Sequence, residues 1–92
     1  MPTYLVESYV SRANADAALA AGGRVRTTCE QFHREGTHAR YVRTTFVPED
    51  ETSFHLIEAP SADVAAELCC RANLGQVRVV EANEARAAWP SR

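Results

Sequence analysis

Four stretches of this chain alternate apolar and polar residues with period two, and two others repeat apolar residues every three to four positions. Thr3–Val10 (TYLVESYV) is rich in β-branched and aromatic residues and predicts a strand. Arg40–Val47, Ser53–Ala59 and Gln76–Ala82 predict three more. Between the first two, Leu19, Gly22, Val25, Cys29 and Phe32 form one stripe, which predicts a helix from Asp16 to about Glu35. Ser11 or Asn14 can cap its start, and Gly36 stops it. Gly22 and Gly23 each weaken that helix by about 1 kcal/mol relative to Ala. Gly22 lies on the stripe, so either close packing against a sheet offsets the loss or the helix breaks there. A second helix opens at Ser61, with Asp63 at its positive end and Val64, Ala65, Leu68, Cys69 and Ala72 as its stripe. Asn73-Leu74-Gly75 ends it. The second and third strands are joined by the acidic turn Pro48-Glu49-Asp50-Glu51-Thr52.

The order βαββαβ predicts a ferredoxin-like α+β fold: a four-stranded antiparallel sheet, order 4-1-3-2, with both helices on one face and the other face open. A chain of 92 residues supports one small core. Residues 1–83 read as the single domain and 84–92 as a tail carrying Trp89. Strict alternation divides the strands into two faces. Tyr4, Val6, Ser8, Val10, Val42, Thr44, Phe46, Phe54, Leu56, Val77 and Val79 are expected under the helices. Leu5, Glu7, Tyr9, Tyr41, Arg43, Thr45, Ser53, His55, Ile57, Arg78 and Val80 are expected on the open face.

That open set mixes charge with large apolar groups, which a solvated sheet face does not need. It predicts a homodimer paired face to face, a dimeric α+β barrel with a cavity between the sheets. Glu7 and His55 would sit there on neighbouring central strands, with Arg43 further out and Tyr9 a further ligand-binding candidate on the same face. In a partly dry cavity such a pair could hold a divalent transition metal or a small ligand, or move a proton. An enzyme of the cofactor-independent dimeric barrel type (monooxygenase, cyclase or isomerase) is the alternative, resting on fold analogy. A structural interaction module, with the polar pair fixing dimer register, is the third reading.

Charge narrows the partners. Net charge is −2, from 10 basic residues, all Arg, against 12 acidic ones. There is no basic excess for nucleic acid. No apolar run reaches membrane-spanning length. With no leader-like start and three cysteines read as reduced thiols, the expected location is the cytoplasm. Cys29 and His33, four apart on the first helix, are a weaker metal pair, because Cys29 lies on the buried stripe. Glu49-Asp50-Glu51 lacks the ligand pattern of a calcium loop.

The start Pro2-Thr3-Tyr4-Leu5-Val6-Glu7, the run from Tyr41 to Phe54 (YVRTTFVPEDETSF) and Glu58-Ala59-Pro60-Ser61 resemble a family of small bacterial ferredoxin-like proteins of unknown function, some described as nickel-binding. The resemblance spans Pro2 to about Glu81. It implies a dimer, and nickel as a candidate cofactor. Glu7 matches the family's acidic position in the first strand. Thr44 stands where the metal-binding branch has a histidine, and neither Ser53 nor His55 is the cysteine often found in the third strand.

Overall fold

The computed structural model describes residues 1–83. The tail 84–92, with Trp89, lies outside the described residues. The elements are β1 (Thr3–Tyr9), α1 (Ala15–Arg34), β2 (Arg40–Val47), β3 (Thr52–Glu58), α2 (Ala62–Arg71) and β4 (Val77–Ala82), with one 3-10 turn at Pro48–Asp50. All strand pairs are antiparallel in the order β2-β3-β1-β4. This is the ferredoxin-like α+β sandwich that the alternation predicts.

Two of the punctuation residues, Ser61 and Gly36, act as expected. Ser61 accepts a hydrogen bond from the Val64 amide at 3.3 Å and caps α2. Gly36 takes φ 94°, which stops α1 without the steric penalty a side chain would meet. At the other end Asn14 occupies the cap position of α1, but its side chain makes no capping bond. Glu51 folds the acidic turn onto the β1–α1 loop: in the left-handed region at φ 47°, it accepts the Arg12 amide at 3.0 Å, while its carbonyl accepts the Val10 amide at 3.0 Å.

One core lies between the sheet and the two helices. Tyr4, Val6, Ile57 and Ala59 of the sheet side meet Val25, Cys29 and Phe32 of α1 and Ala65, Leu68 and Cys69 of α2. Arg71 stacks over Phe32, 4.2 Å from the ring centroid, and binds Glu35 at 2.9 Å, tying α2 to the end of α1. α1 is unbroken through Gly22-Gly23, so close packing is the outcome there. Leu19 departs from the predicted stripe. It is 70% exposed, and the small residues Ala18, Ala21 and Gly22 take the sheet side instead.

The face assignment needs correction in two strands. Across β1 and β3, Tyr4 pairs with Ile57, Val6 with His55 and Ser8 with Ser53. Ser53, His55 and Ile57 therefore lie under the helices, and all three are fully buried. Phe54 and Leu56 turn to the open face, opposite Glu7 and Leu5. In β2 the register shifts between Tyr41 and Arg43. That irregularity puts Tyr41 on the helix side with Thr44 and leaves Arg43 and Thr45 on the open side.

Candidate functional site

The open face is built in rows across the sheet. One row is Arg43, Leu56, Leu5 and Val80, and the next is Thr45, Phe54, Glu7 and Arg78. Leu56 is only 5% exposed although no helix among the described residues covers it, and it is not part of the core cluster. Glu7 is bound to Arg78 on the adjacent strand at 2.9 Å. Glu58 takes a two-pronged bond from Arg40, at 2.9 and 3.1 Å. That guanidinium holds the Glu58 carboxyl below its usual range, through hydrogen bonding first. The result is an apolar centre with its carboxylates neutralised by Arg on neighbouring strands.

The helix side holds a polar tract. The Tyr41 hydroxyl donates to Thr44 Oγ1 at 2.7 Å, and Thr44 Oγ1 lies 2.7 Å from His55 Nδ1. Ser53 Oγ is 3.4 Å from His55 Nε2. One proton arrangement uses the Tyr41, Thr44 and imidazole donors. Thr44, having accepted from Tyr41, gives its own proton to Nδ1, and Nε2–H points at Ser53. The imidazole is then neutral. Burial, aided by the nearby Arg24 charge, pushes the His55 pKa down to about 4. Ser53 and His55, at 0% exposure, are sealed from substrate, whereas Tyr41 and Thr44 are half-buried.

The predicted residues are thus divided. Glu7 and His55 occupy opposite faces of the sheet, because Glu7 pairs with Phe54 and His55 with Val6. They do not form a common site, and this corrects the expected Glu7–His55 pair. Tyr9 ends β1 strongly exposed, its hydroxyl 3.4 Å from Glu51 Oε2. Arg43 is exposed beside Leu56. Cys29 is buried in the core cluster, while His33 is exposed, so this pair does not converge on a metal either. Burial pushes the Cys29 thiol up to about 12. Among the described residues no group of three His, Cys, Asp or Glu side chains could hold a metal ion. No helix among them is long and apolar enough to cross a membrane.

Two clefts open elsewhere, and of the predicted residues Tyr9 lines the second of them. One, of about 420 Å³, lies along Cys69, Cys70, Asn73, Val77 and Val79. The other, of about 350 Å³, lies between the end of β1 and α1 and includes Ser8, Asn14, Ala17, Ala21, Arg24 and Leu74. Sequence reasoning missed the second, although a signal was present: Ser8 is a polar residue in a core-facing slot between Val6 and Val10.

Comparison of the chain with protein-family models, with curated proteins and with solved structures finds no match. What stands of the resemblance drawn from the strand segments is the βαββαβ α+β fold.

Proposed function

We propose that the chain is a small binding domain that works as a homodimer joined through its open sheet face. The half-buried apolar residues Leu5, Val80 and Phe54, set around the buried Leu56, carry this reading. A second copy suits the face better than a charged partner does, because its carboxylates already have Arg partners within the chain. Two such surfaces meet without unpaired charge. Four strands spaced about 4.8 Å apart and roughly 22 Å long give a footprint near 400 Å² per copy. That lies among the smaller specific interfaces, under ~1,200 Å² in total, so the association is concentration-dependent.

The metal version of this reading keeps Glu7 as a ligand on the open face but loses His55 to the core. The enzyme version needed Glu7, His55 or Arg43 to line a cavity, and the two clefts described above are not lined by any of the three. Sedimentation velocity from low micromolar to submillimolar protein tests the pairing. The wild type is expected to shift from monomer to dimer across that range, and a folded Leu5→Arg variant to stay monomeric. A wild type that remains monomeric throughout, or a variant that dimerises equally, overturns it.

A further inference from the structure

The cleft between β1 and α1 contains a hydroxyl with no partner among the described residues. Ser8 is 7% exposed and lines the cleft. Among the described residues its side chain makes no hydrogen bond. No described polar side-chain atom is both sealed and unpartnered, so the Ser8 hydroxyl reaches the cleft rather than the core. A buried hydroxyl in this position is a binding group waiting for an acceptor or donor.

Arg24 supplies the charge. Its Nε donates to the Ala72 carbonyl at 3.0 Å, which fixes the guanidinium against the end of α2. No carboxylate pairs with it among the described residues. Its terminal nitrogens are therefore free to meet an anion in the fork geometry that suits a carboxylate. Asn14, whose side chain leaves the first turn of α1 uncapped, borders the same space. The remaining wall is Val10, Ala17, Ala21 and Leu74, apolar, with Tyr9 and Ser11 at its edge adding two further hydroxyls. Ala17, Ala21 and Arg24 stand four and three apart on one side of α1, so the small side chains form a floor that leads to the cation. At about 350 Å³ the space is at the small end of ligand pockets.

We propose that this cleft binds a small organic monocarboxylate, with the carboxylate held by Arg24 and the Ser8 hydroxyl and the apolar body lying on Ala17, Ala21 and Leu74. The site lies on the helix side of the sheet and does not depend on how the open faces pair.

Titration of ¹⁵N-labelled protein with benzoate, followed by amide chemical shifts, tests this. Saturable shifts are expected at Ser8, Ala17, Ala21 and Arg24, at millimolar benzoate or below. Benzyl alcohol, which keeps the ring and loses the charge, should bind about tenfold more weakly or worse. Ser8→Ala and Arg24→Gln should each weaken benzoate binding by about fivefold or more. Ser8→Ala removes no bond among the described residues, so it keeps the test valid if Arg24→Gln loosens the α1–α2 contact. Non-saturating shifts, equal response to benzyl alcohol, undiminished binding by folded Ser8→Ala, or stronger binding of inorganic phosphate than benzoate would each overturn the proposal.

Discussion

Two adjacent glycines in α1 should respond in opposite ways to the same substitution. A Cβ on Gly23 would have nothing within 4 Å, whereas a Cβ on Gly22 would lie 2.6 Å from Thr44 Oγ1, 3.1 Å from Thr44 Cβ and 3.4 Å from the Tyr41 hydroxyl. Both replacements by Ala gain helix propensity of about 1 kcal/mol. For Gly23 that gain stands alone. For Gly22 it is set against a contact that does not yield easily. Thr44 Oγ1 is held 2.7 Å from both the Tyr41 hydroxyl and His55 Nδ1. Its branched side chain has few rotamers in which to retreat. Moving the hydroxyl leaves a buried imidazole nitrogen unpartnered, at about 1–3 kcal/mol. Keeping it in place forces α1 away from the sheet, an overpacking cost of about 1–3 kcal/mol.

Either route outweighs or cancels the propensity gain, leaving Gly22→Ala destabilised by roughly 0–2 kcal/mol, or more if both costs apply. In a domain of this size 1 kcal/mol moves Tm by about 4–8 °C. Thermal melts followed by circular dichroism should show Gly23→Ala rising by several degrees and Gly22→Ala falling below it by at least ~5 °C. Thr44→Ala removes the nearest clash, so in that background the cost of Gly22→Ala should shrink. A Gly22→Ala protein as stable as Gly23→Ala would refute the close approach of α1 to β2.

Further outcomes follow from the buried tract and the thiols. His55 has its pKa lowered from 6.5 to about 4 in the folded chain, so the unfolded chain binds the extra proton between those values. Its contribution is complete above pH 6.5, declines as pH falls towards 4, and totals about 3 kcal/mol. Urea unfolding between pH 7 and 4.5 should show that decline, and it should flatten in His55→Gln; an unchanged slope in the variant would assign the effect elsewhere. Cys70 is exposed, whereas Cys29 and Cys69 are buried, with pKa values pushed up to about 12 and 11. At pH 8 an aromatic disulfide reagent should modify one thiol quickly and two more only on unfolding; three equally fast reactions would contradict the core packing.

The element order was legible in the residues because each boundary has its own local cause. Ser61, Gly36 and the Pro48 turn act through their immediate neighbours, and these needed no tertiary context. The face of β3 was not legible. Its two alternating sets, Ser53-His55-Ile57 and Phe54-Leu56, each combine polar and apolar fitness for burial in a central strand, so side-chain size favoured the wrong one. Pairing with β1 decides the matter, placing Ile57 beside Tyr4 and letting Ala59 follow into the core. The irregularity between Tyr41 and Arg43 breaks period two inside β2, and no Gly or Pro marks it. Leu19 misled for a related reason: the helix is pressed so close to the sheet that Ala18, Ala21 and Gly22 fit the contact and Leu19 turns to solvent.

These departures have one physical origin. Thr44 and Ser8 were legible as polar residues facing the helices, and each needs a partner there. His55 and Ser53 supply polar groups to match only if β3 turns them inward. The tract then runs Tyr41, Thr44, His55, Ser53, with Ser8 opposite Ser53 on the next strand. A slip of one residue between β3 and its neighbours would expose His55 and leave Thr44 buried without its second bond, so the tract penalises the wrong register as well as stabilising the right one. Gly22 lets the helix close over its middle. At the Tyr41 end the hydroxyl is spent on Thr44, whereas at the other end Ser8 has no partner among the described residues and borders the cleft with Arg24. The same row of polar side chains that fixes the strand register thus ends at the cleft that Ser8 lines.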